Sequence, residues 1–473
     1  MPEGFRTFHP ALNTWGTHLY FPTDTSFLQD WESTIRQDQT LFRASPPALR
    51  AQLLLRIEVL LQRDKLVIQE VYCRESGLSK ARFESEFSRL TQTILIFAEH
   101  VQKWSWQKQN DLPLENKTLV KKRTALGPVL VLGSSNFPLA YSTMGGDTTA
   151  ALAAGCCVVI KAHPMHLGTS LAVANCVERA LQELNLPRGI FSHVIDNTYY
   201  WASTFAQHPQ IKAIGFTGSI KGGRALMDLA AQRSCPIPVF AEMGSLNPVV
   251  ICSDLRADQI ETIAQQLARS ICTDAGQFCT KPGLLLVNAN HIETFKKSLL
   301  VALKTHVAVP MLHPDIYQKF DTRKGQVLQV RGVIAHRTDE RKDGIKGLWG
   351  VAETTLDVLI SESTLLEEVF GPFAVLCPFE NENSLQLLFE KINGQLTTSI
   401  FTNNTLHIHP VYANFIEEKV GRVIINGVPT GVSVTEAMHH GGAYPASSDA
   451  RFTAVGADSI LRFTKEVSWQ MHQ

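Results

Sequence analysis

The order of segments along the chain predicts an α/β protein built on parallel sheet. Three observations carry this. Short apolar runs of strand length recur, at 129–132, 158–160 and 212–216 in the first half and at 284–287 and 374–376 in the second. Stretches of helical spacing separate them. Glycine or proline stands at the junctions, as at Gly133, Gly155 and Pro164. A strand buried on both faces reads as a continuous apolar run. Repeated strand–helix–strand order belongs to parallel sheets.

The elements follow in order. Pro46-Pro47 opens a helix, since proline fits the first turn. Leu53, Leu54, Ile57, Leu60 and Leu61 then form a stripe of helical spacing. A second amphipathic helix covers 84–102, with Phe87, Leu90, Ile94 and Phe97 on one side. Residues 106–122 are polar and lack a period, which predicts an arm or linker. The run at 129–132 stops at Gly133. Residues 147–155 read as a helix closed by Gly155. Further helices are predicted over 169–184, 222–231, 257–271 and 292–303. The segment 439–449, rich in Gly, Ser and Pro, reads as loop. There is no internal repeat and no low-complexity tract.

Composition bounds the function. The chain has 473 residues, no net charge, 19% charged and 44% hydrophobic residues, which suits an ordinary globular protein of two or three domains. Zero net charge gives no support to a nucleic-acid partner. Lys121-Lys122-Arg123 is too short to alter this. Nine cysteines, without paired spacing, predict neither a disulfide framework nor a metal site and point to a reducing compartment. The first ten residues lack a basic start followed by an apolar stretch, so no secretory signal is expected. No uncharged apolar run reaches the roughly 18–20 residues that span a bilayer.

Certain residues carry chemistry. Cys279, in Gly276-Gln-Phe-Cys279, is a nucleophile once ionised, although a free cysteine ordinarily packs a core. Glu242, in Phe240-Ala-Glu-Met-Gly244, can hold a proton or activate water. Asn136, in Ser135-Asn-Phe-Pro138 after a strand, can donate to a developing oxyanion, or simply make a turn. Lys161 ends a strand where it can reach a ribose or phosphate. Phe216-Thr217-Gly218-Ser219 lies between strand and helix, where backbone N–H groups can meet a pyrophosphate. It is not a GxGxxG fingerprint. Glu368-Val-Phe370-Gly-Pro372 sets a carboxylate and a ring before a break.

Taken in order, these motifs and Asn426-Gly-Val-Pro429 resemble those of the aldehyde dehydrogenase superfamily over nearly the whole chain. Gly145-Gly-Asp-Thr-Thr149, Glu242-Met-Gly-Ser-Leu-Asn-Pro248 and Gly442-Ala-Tyr-Pro-Ala446 look like the branch of α-ketoglutaric semialdehyde (2,5-dioxovalerate) dehydrogenases and NADP-dependent fatty aldehyde dehydrogenases. The resemblance implies a Rossmann-like cofactor domain (1–105 and 125–241), an α/β catalytic domain (242–438) and a β oligomerisation arm with tail (106–124 and 439–473). It implies NAD(P)-dependent oxidation of an aldehyde through a thiohemiacetal and thioester on Cys279. Asn136 and the Cys279 N–H would hold the oxyanion, and Glu242 would activate water. Lys161, Ser135, Thr217, Gly218, Ser219 and Gly244 would bind the dinucleotide, with Glu368 and Phe370 at the nicotinamide end. A cytoplasmic homodimer or homotetramer follows, with no membrane or nucleic-acid partner.

Two departures bear on specificity. Pro164 stands where NAD-preferring members carry a glutamate, which permits NADP and sets a lean toward it. Tyr199 stands where some NADP users carry an arginine. On the helix at 84–102, Arg89 and Thr91 are kept, but Thr93 and Leu95 replace an expected glutamine and arginine. That predicts a more apolar tunnel and keeps medium-chain or aromatic aldehydes open beside α-ketoglutaric semialdehyde. A non-catalytic cofactor-binding homologue and a Cys-His hydrolase are the readings from other classes.

Overall fold

A computed structural model describes residues 3–103, 110–114, 116–338, 344–405 and 408–472. Of the expected arm and tail, 106–109, 115 and 473 lie outside the described residues, as do Met1 and Pro2 of the expected signal-free start.

The chain opens with a small hairpin, β1 (Phe8–His9) and β2 (Thr14–Trp15). Helices α1 (Phe27–Ala44), α2 (Pro47–Arg63), α3 (Lys65–Ser76) and α4 (Lys80–Lys103) follow. The predicted stripe of α2 is its packing face: Leu53, Leu54, Ile57, Leu60 and Leu61 are all fully buried. On α4, Phe87, Leu90, Ile94 and Phe97 enter the same core. Each such side chain contributes about 1.5–3 kcal/mol on burial. The opposite side of α4 is polar and faces the pocket described below.

After the antiparallel pair β3 (Asn110–Leu114) and β4 (Lys117–Ala125), strands and helices alternate. They run β5 (Val129–Leu132), α5 (Gly146–Ala154), β6 (Val158–Lys161), α6 (Leu167–Glu183), β7 (Phe191–Val194), α7 (Tyr200–Gln207), β8 (Ala213–Thr217), α8 (Ile220–Ala231) and β9 (Val239–Glu242). These strands form one parallel sheet in the order β7-β6-β5-β8-β9. The predicted stop at Gly155 holds: it closes α5 in the left-handed region at φ 92°. The order reverses between β5 and β8, and ligands of such sheets bind outside the strand ends at that point.

The second unit comprises β10 (Pro248–Ile251), α9 (Ala257–Cys272), β11 (Leu284–Asn288), α10 (Ile292–Lys304), α11 (Pro314–Leu328), β12 (Ile334–Arg337), β13 (Gly350–Glu353), α12 (Leu356–Ser361), β14 (Phe373–Phe379), α13 (Gln386–Lys391), β15 (Gln395–Phe401), α14 (Pro410–Lys419) and β16 (Val420–Ile425). Its sheet has the order β12-β13-β14-β11-β10-β15-β16, parallel except for β12. The last strand, β17 (Thr464–His472), pairs with β4 to give a three-stranded sheet β17-β4-β3.

Residues 439–463, grouped with the arm in the sequence reading, do not join that sheet. They return to the first unit. Met243 N–H donates to the Ala446 carbonyl (2.8 Å), and Ser448 N–H donates to the Ala241 carbonyl (2.9 Å). The loop lies flush on the second sheet, where a Cβ at Gly421 would stand 2.0 Å from the Gly441 carbonyl oxygen. All nine cysteines are free thiols. Among the described residues no helix is long and apolar enough to cross a membrane.

Candidate active site

Glu242 is the last residue of β9, and five residues separate it from Pro248 at the head of β10. It therefore sits where the chain passes from one sheet to the other. Cys279 lies in the loop between α9 and β11. Before it, Asp274, Ala275 and Gly276 are all left-handed, at φ 49°, 54° and 64°. For residues other than glycine this conformation costs about 1–2 kcal/mol each, so the loop persists only because its surroundings hold it.

Several side chains do so. Arg82 Nε of α4 donates to Asp274 Oδ2 (2.8 Å). Its guanidinium also lies over the rings of Phe137 (4.4 Å) and Phe278 (5.2 Å). Gln277 Nε2 donates to the Asp274 carbonyl (2.9 Å), and Gln277 Oε1 accepts from Leu312 N–H (3.0 Å). Asn247, itself left-handed and fully buried, donates through Nδ2 to the carbonyls of Cys279 (2.8 Å) and Lys281 (2.9 Å). Asn136 Nδ2 donates to the Gln277 carbonyl (2.8 Å). Asparagine 136 is thereby fixed against the cysteine loop, with an amide N–H left over to aim elsewhere.

Cys279, Glu242 and His440 converge. Cys279 Sγ is 3.8 Å from His440 Nε2, and that nitrogen is 3.0 Å from Glu242 Oε2. Both residues beside the sulfur are buried, and Cys279 is half-buried, facing a cavity. Neither Glu242 oxygen accepts a well-directed hydrogen bond. Burial alone would raise the Glu242 pKa; the His440 ring, the Cys279 thiol and Arg89 together offset it and hold the carboxyl below its ordinary range. The thiol responds in the other direction. Burial first, then the Glu242 carboxylate, push Cys279 well above the usual thiol range, with Arg89 opposing.

The cavity in front of Cys279 holds about 410 Å³. Arg82, Arg89 and Gln92 line it from α4, and Phe278, Ser433 and Thr435 from the loops opposite. Arg89 Nη2 donates to the Tyr141 hydroxyl (2.6 Å). Thr93 and Leu95 point elsewhere: Thr93 Oγ1 donates to the Arg89 carbonyl (2.8 Å), and Leu95 is 44% exposed. The apolar tunnel expected from those two positions is thus not the cavity this protein has.

The remaining predicted residues gather at the strand ends of the first sheet. Lys161 ends β6, buried, with Nζ donating to the Asp196 carbonyl (2.8 Å), and burial lowers its pKa. Thr217 ends β8. Gly218 N–H donates to the Glu242 carbonyl (3.0 Å), and Ser219 caps α8 by accepting from Gly222 N–H (3.2 Å). A Cβ at Gly218 or Gly222 would meet the Phe216 ring at 2.6 or 2.9 Å, so this turn keeps its backbone bare at a helix N-terminus. Gly244 abuts Glu368, since a Cβ there would stand 2.4 Å from Oε2. Burial raises Glu368 to about 7 against the opposing charge of Lys281, itself lowered by burial to about 8. Ser135 and Phe370 are half-buried.

The aldehyde dehydrogenase family profile matches residues 30–465. The chain belongs to the aldehyde dehydrogenase family. It is 37% identical over 414 residues to an alpha-ketoglutaric semialdehyde dehydrogenase of Acinetobacter baylyi, covering 85% of this chain and 78% of that one. A second such enzyme, from Azospirillum brasilense, is 35% identical over 450 residues, covering 91% and 84%. The fold matches a 1-pyrroline-5-carboxylate dehydrogenase from Thermus solved with bound NAD, with a TM-score of 0.86 at 15% identity over 100% of this chain and 91% of that one. It also matches the glyceraldehyde-3-phosphate dehydrogenase GapN of Methanocaldococcus jannaschii complexed with NADP, at a TM-score of 0.84 and 17% identity, covering 100% and 99%.

In this family member, sequence reasoning missed His440 and the clamp of Asn247. His440 lies far downstream, next to a second histidine in a loop with no spacing signal. Asn247 was visible only as a letter in a motif. Its clamp makes a measurable claim. Asn247→Ala leaves the Cys279 and Lys281 carbonyls without this donor, at a cost of about 1–3 kcal/mol each. Urea denaturation of the variant will show that loss; an unchanged midpoint and slope would remove Asn247 from the account.

Proposed function

We propose that this protein oxidises an aldehyde to its carboxylic acid with NADP or NAD, Cys279 being the nucleophile. The observation that carries this is the meeting of the Cys279 sulfur, the Glu242 carboxylate and the His440 imidazole at the base of an open cavity. The crevice at the ends of β5, β6 and β8 suits a dinucleotide. It offers a bare glycine turn at the start of α8, a buried lysine at the end of β6, and a carboxyl at Glu368 beside Gly244. Pro164 puts no carboxylate near Lys161 to repel a 2′-phosphate, which supports NADP, while Tyr199 supplies no cation to bind one.

The residues divide the work. The Cys279 proton passes to the His440–Glu242 pair, and the sulfur bonds to the carbonyl carbon. Asn136 and the Cys279 N–H donate to the oxygen as it gains charge. A dinucleotide held in the crevice by Lys161, the 217–219 turn and Glu368 would supply the hydride acceptor, and Cys279 would be left carrying the acyl group as a thioester. Once the thiol proton has left the pair to solvent, Glu242 takes a proton from water, and the hydroxide adds to the thioester carbon and releases the acid and the Cys279 thiolate. A buried carboxylate whose oxygens accept no well-directed hydrogen bond is well placed for that water.

Aldehyde-dependent reduction of both nucleotides is the direct assay. Cys279→Ala is expected to abolish it. Asn136→Ala should slow hydride transfer by about 10²–10³. Glu242→Gln should give one equivalent of reduced nucleotide and then stall at the thioester. Ester hydrolysis without any nucleotide reduction would favour the hydrolase reading, and binding of nucleotide without turnover the non-catalytic one.

The substrate we propose is a short keto-acid semialdehyde, with α-ketoglutaric semialdehyde as the candidate. Both curated relatives named above carry that substrate in their names. The cavity supports it. Arg82 is neutralised by Asp274 (2.8 Å) and Glu86 (3.4 Å). Arg89 has the neutral Tyr141 as its partner and, among the described residues, makes no ion pair. A distal carboxylate would complete it. Arg89→Leu should raise KM for the keto-acid semialdehyde by about 10–100-fold, the worth of one charged hydrogen bond, and leave an uncharged aldehyde of equal length nearly unaffected. Equal loss for both would return the medium-chain or aromatic reading.

Free thiols throughout suit a reducing compartment such as the cytoplasm. The arm sheet exposes Trp469 (57%) and Met471 (50%), which supports a homodimer or homotetramer joined through it. Light scattering should give a multiple of the chain mass; a monomer would overturn the assembly.

A further inference from the structure

The same three side chains have a second chemistry. Glu242, Cys279 and His440 each offer one ligand atom, and the three atoms lie within 4.8 Å of one another. The separations are 3.8 Å from sulfur to nitrogen and 3.0 Å from nitrogen to oxygen. Tetrahedral zinc, with bonds of about 2.0–2.3 Å to thiolate, imidazole and carboxylate, spaces its ligands about 3.3–3.8 Å apart. Small side-chain shifts therefore suffice to close the site. A second observation points the same way: neither buried Glu242 oxygen accepts a well-directed hydrogen bond, although Oε2 lies 3.0 Å from His440 Nε2. The sequence predicts no metal site, because the ligands come from three distant segments with no shared spacing.

We infer that Glu242, Cys279 and His440 form a reversible zinc site that inhibits the enzyme. Zinc forms a bond to the Cys279 sulfur and displaces the thiol proton to solvent; nothing is oxidised or reduced. The half-buried sulfur faces the 410 Å³ cavity, which gives the ion a way in and leaves its fourth position to water. Mixed sulfur and nitrogen donors select zinc over magnesium or calcium. Arg89 opposes a cation here, but the thiolate and the carboxylate outnumber it. Occupancy removes the nucleophile and the water-activating carboxylate together. This inhibitory consequence rests on the proposed catalytic roles; metal binding does not.

The test uses the full-length protein without nucleotide or aldehyde. Equilibrium dialysis against zinc chloride should give one zinc per chain in the wild type. Cys279→Ser and His440→Asn should each weaken binding by at least about 10-fold, while Cys235→Ser, at an exposed thiol, leaves it unchanged. Cobalt(II) should give a sulfur-to-metal charge-transfer band in the wild type and Cys235→Ser and none in Cys279→Ser, with circular dichroism confirming the fold of each variant. Zinc should suppress turnover at least about 10-fold, the activity returning with EDTA. Absence of binding, equal binding by Cys279→Ser, or loss of binding in Cys235→Ser would overturn the site. Binding with the cobalt band in a protein that turns over no aldehyde would keep the metal site and defeat the proposed reaction.

Discussion

The hydrogen bonds that Asn247 makes to the carbonyls of Cys279 and Lys281 are the constraint on which the rest of this site depends. They join the head of β10 to the loop that carries the sulfur. Asn247 is itself held: its N–H donates to Gln395 Oε1 (2.8 Å), which also accepts from Leu246 N–H (2.9 Å) and the Ser245 hydroxyl (3.0 Å). Its Oδ1 accepts from Ser245 Oγ (2.8 Å) and Thr397 Oγ1 (3.1 Å). A fully bonded buried amide of this kind is rigid, because any rotation strands several groups at once. Three left-handed residues before Cys279 would relax without such an anchor. The strain of the loop and the order of its clamp are two sides of one arrangement.

Electrostatics then sets apart two carboxyls of the same site. Both are deeply placed, and burial pushes each toward its neutral form. Glu242 has an imidazole at 3.0 Å and stays ionised. Glu368 has Lys281 as its opposing charge, but the lysine also donates to the Phe373 carbonyl (2.6 Å), and burial keeps Glu368 near 7. The two carboxyls are thereby shifted in opposite directions. Cys279 lies under the influence of both, and both raise it. The sulfur is thus held toward its thiol form.

The parallel sheets were legible wherever buried strands announced themselves as apolar runs. At 129–132, 158–160, 284–287 and 374–376 the residues pack on both faces, and the runs coincide with β5, β6, β11 and β14. β7, with Ser192 and His193 at its centre, and β9, ending on Glu242, carry polar residues because they lie at a sheet edge or feed the site. Their pattern is too short and too mixed to read. Cys279, Glu242 and Asn136 stood out because each sits in or directly before a loop with glycine or proline, where chemistry and backbone geometry coincide. His440 did not, since its loop has no period and even the nearer of its two partners, Cys279, is 161 residues away. The reading of Thr93 and Leu95 as tunnel residues failed for a geometric reason. The cavity face of α4 runs Arg82, Ser85, Arg89 and Gln92; Thr93 bonds back to its own helix and Leu95 turns outward.

The path of the last loop explains why so distant a residue completes the site. Glu242 ends an edge strand, so its backbone would face water and its carboxyl would stay hydrated. The segment 439–449 covers that edge. It pairs with Ala241 and Met243, and Ser448 Oγ accepts from Ala241 N–H (2.8 Å). Covering the edge removes water from the carboxylate, which is costly unless another polar group takes its place. His440, anchored by its own N–H to Thr453 Oγ1 (3.0 Å), arrives on the same segment. The loop therefore imposes the desolvation and supplies its compensation in a single stroke. An imidazole brought by any other element would have to be positioned independently of the cover that makes it necessary.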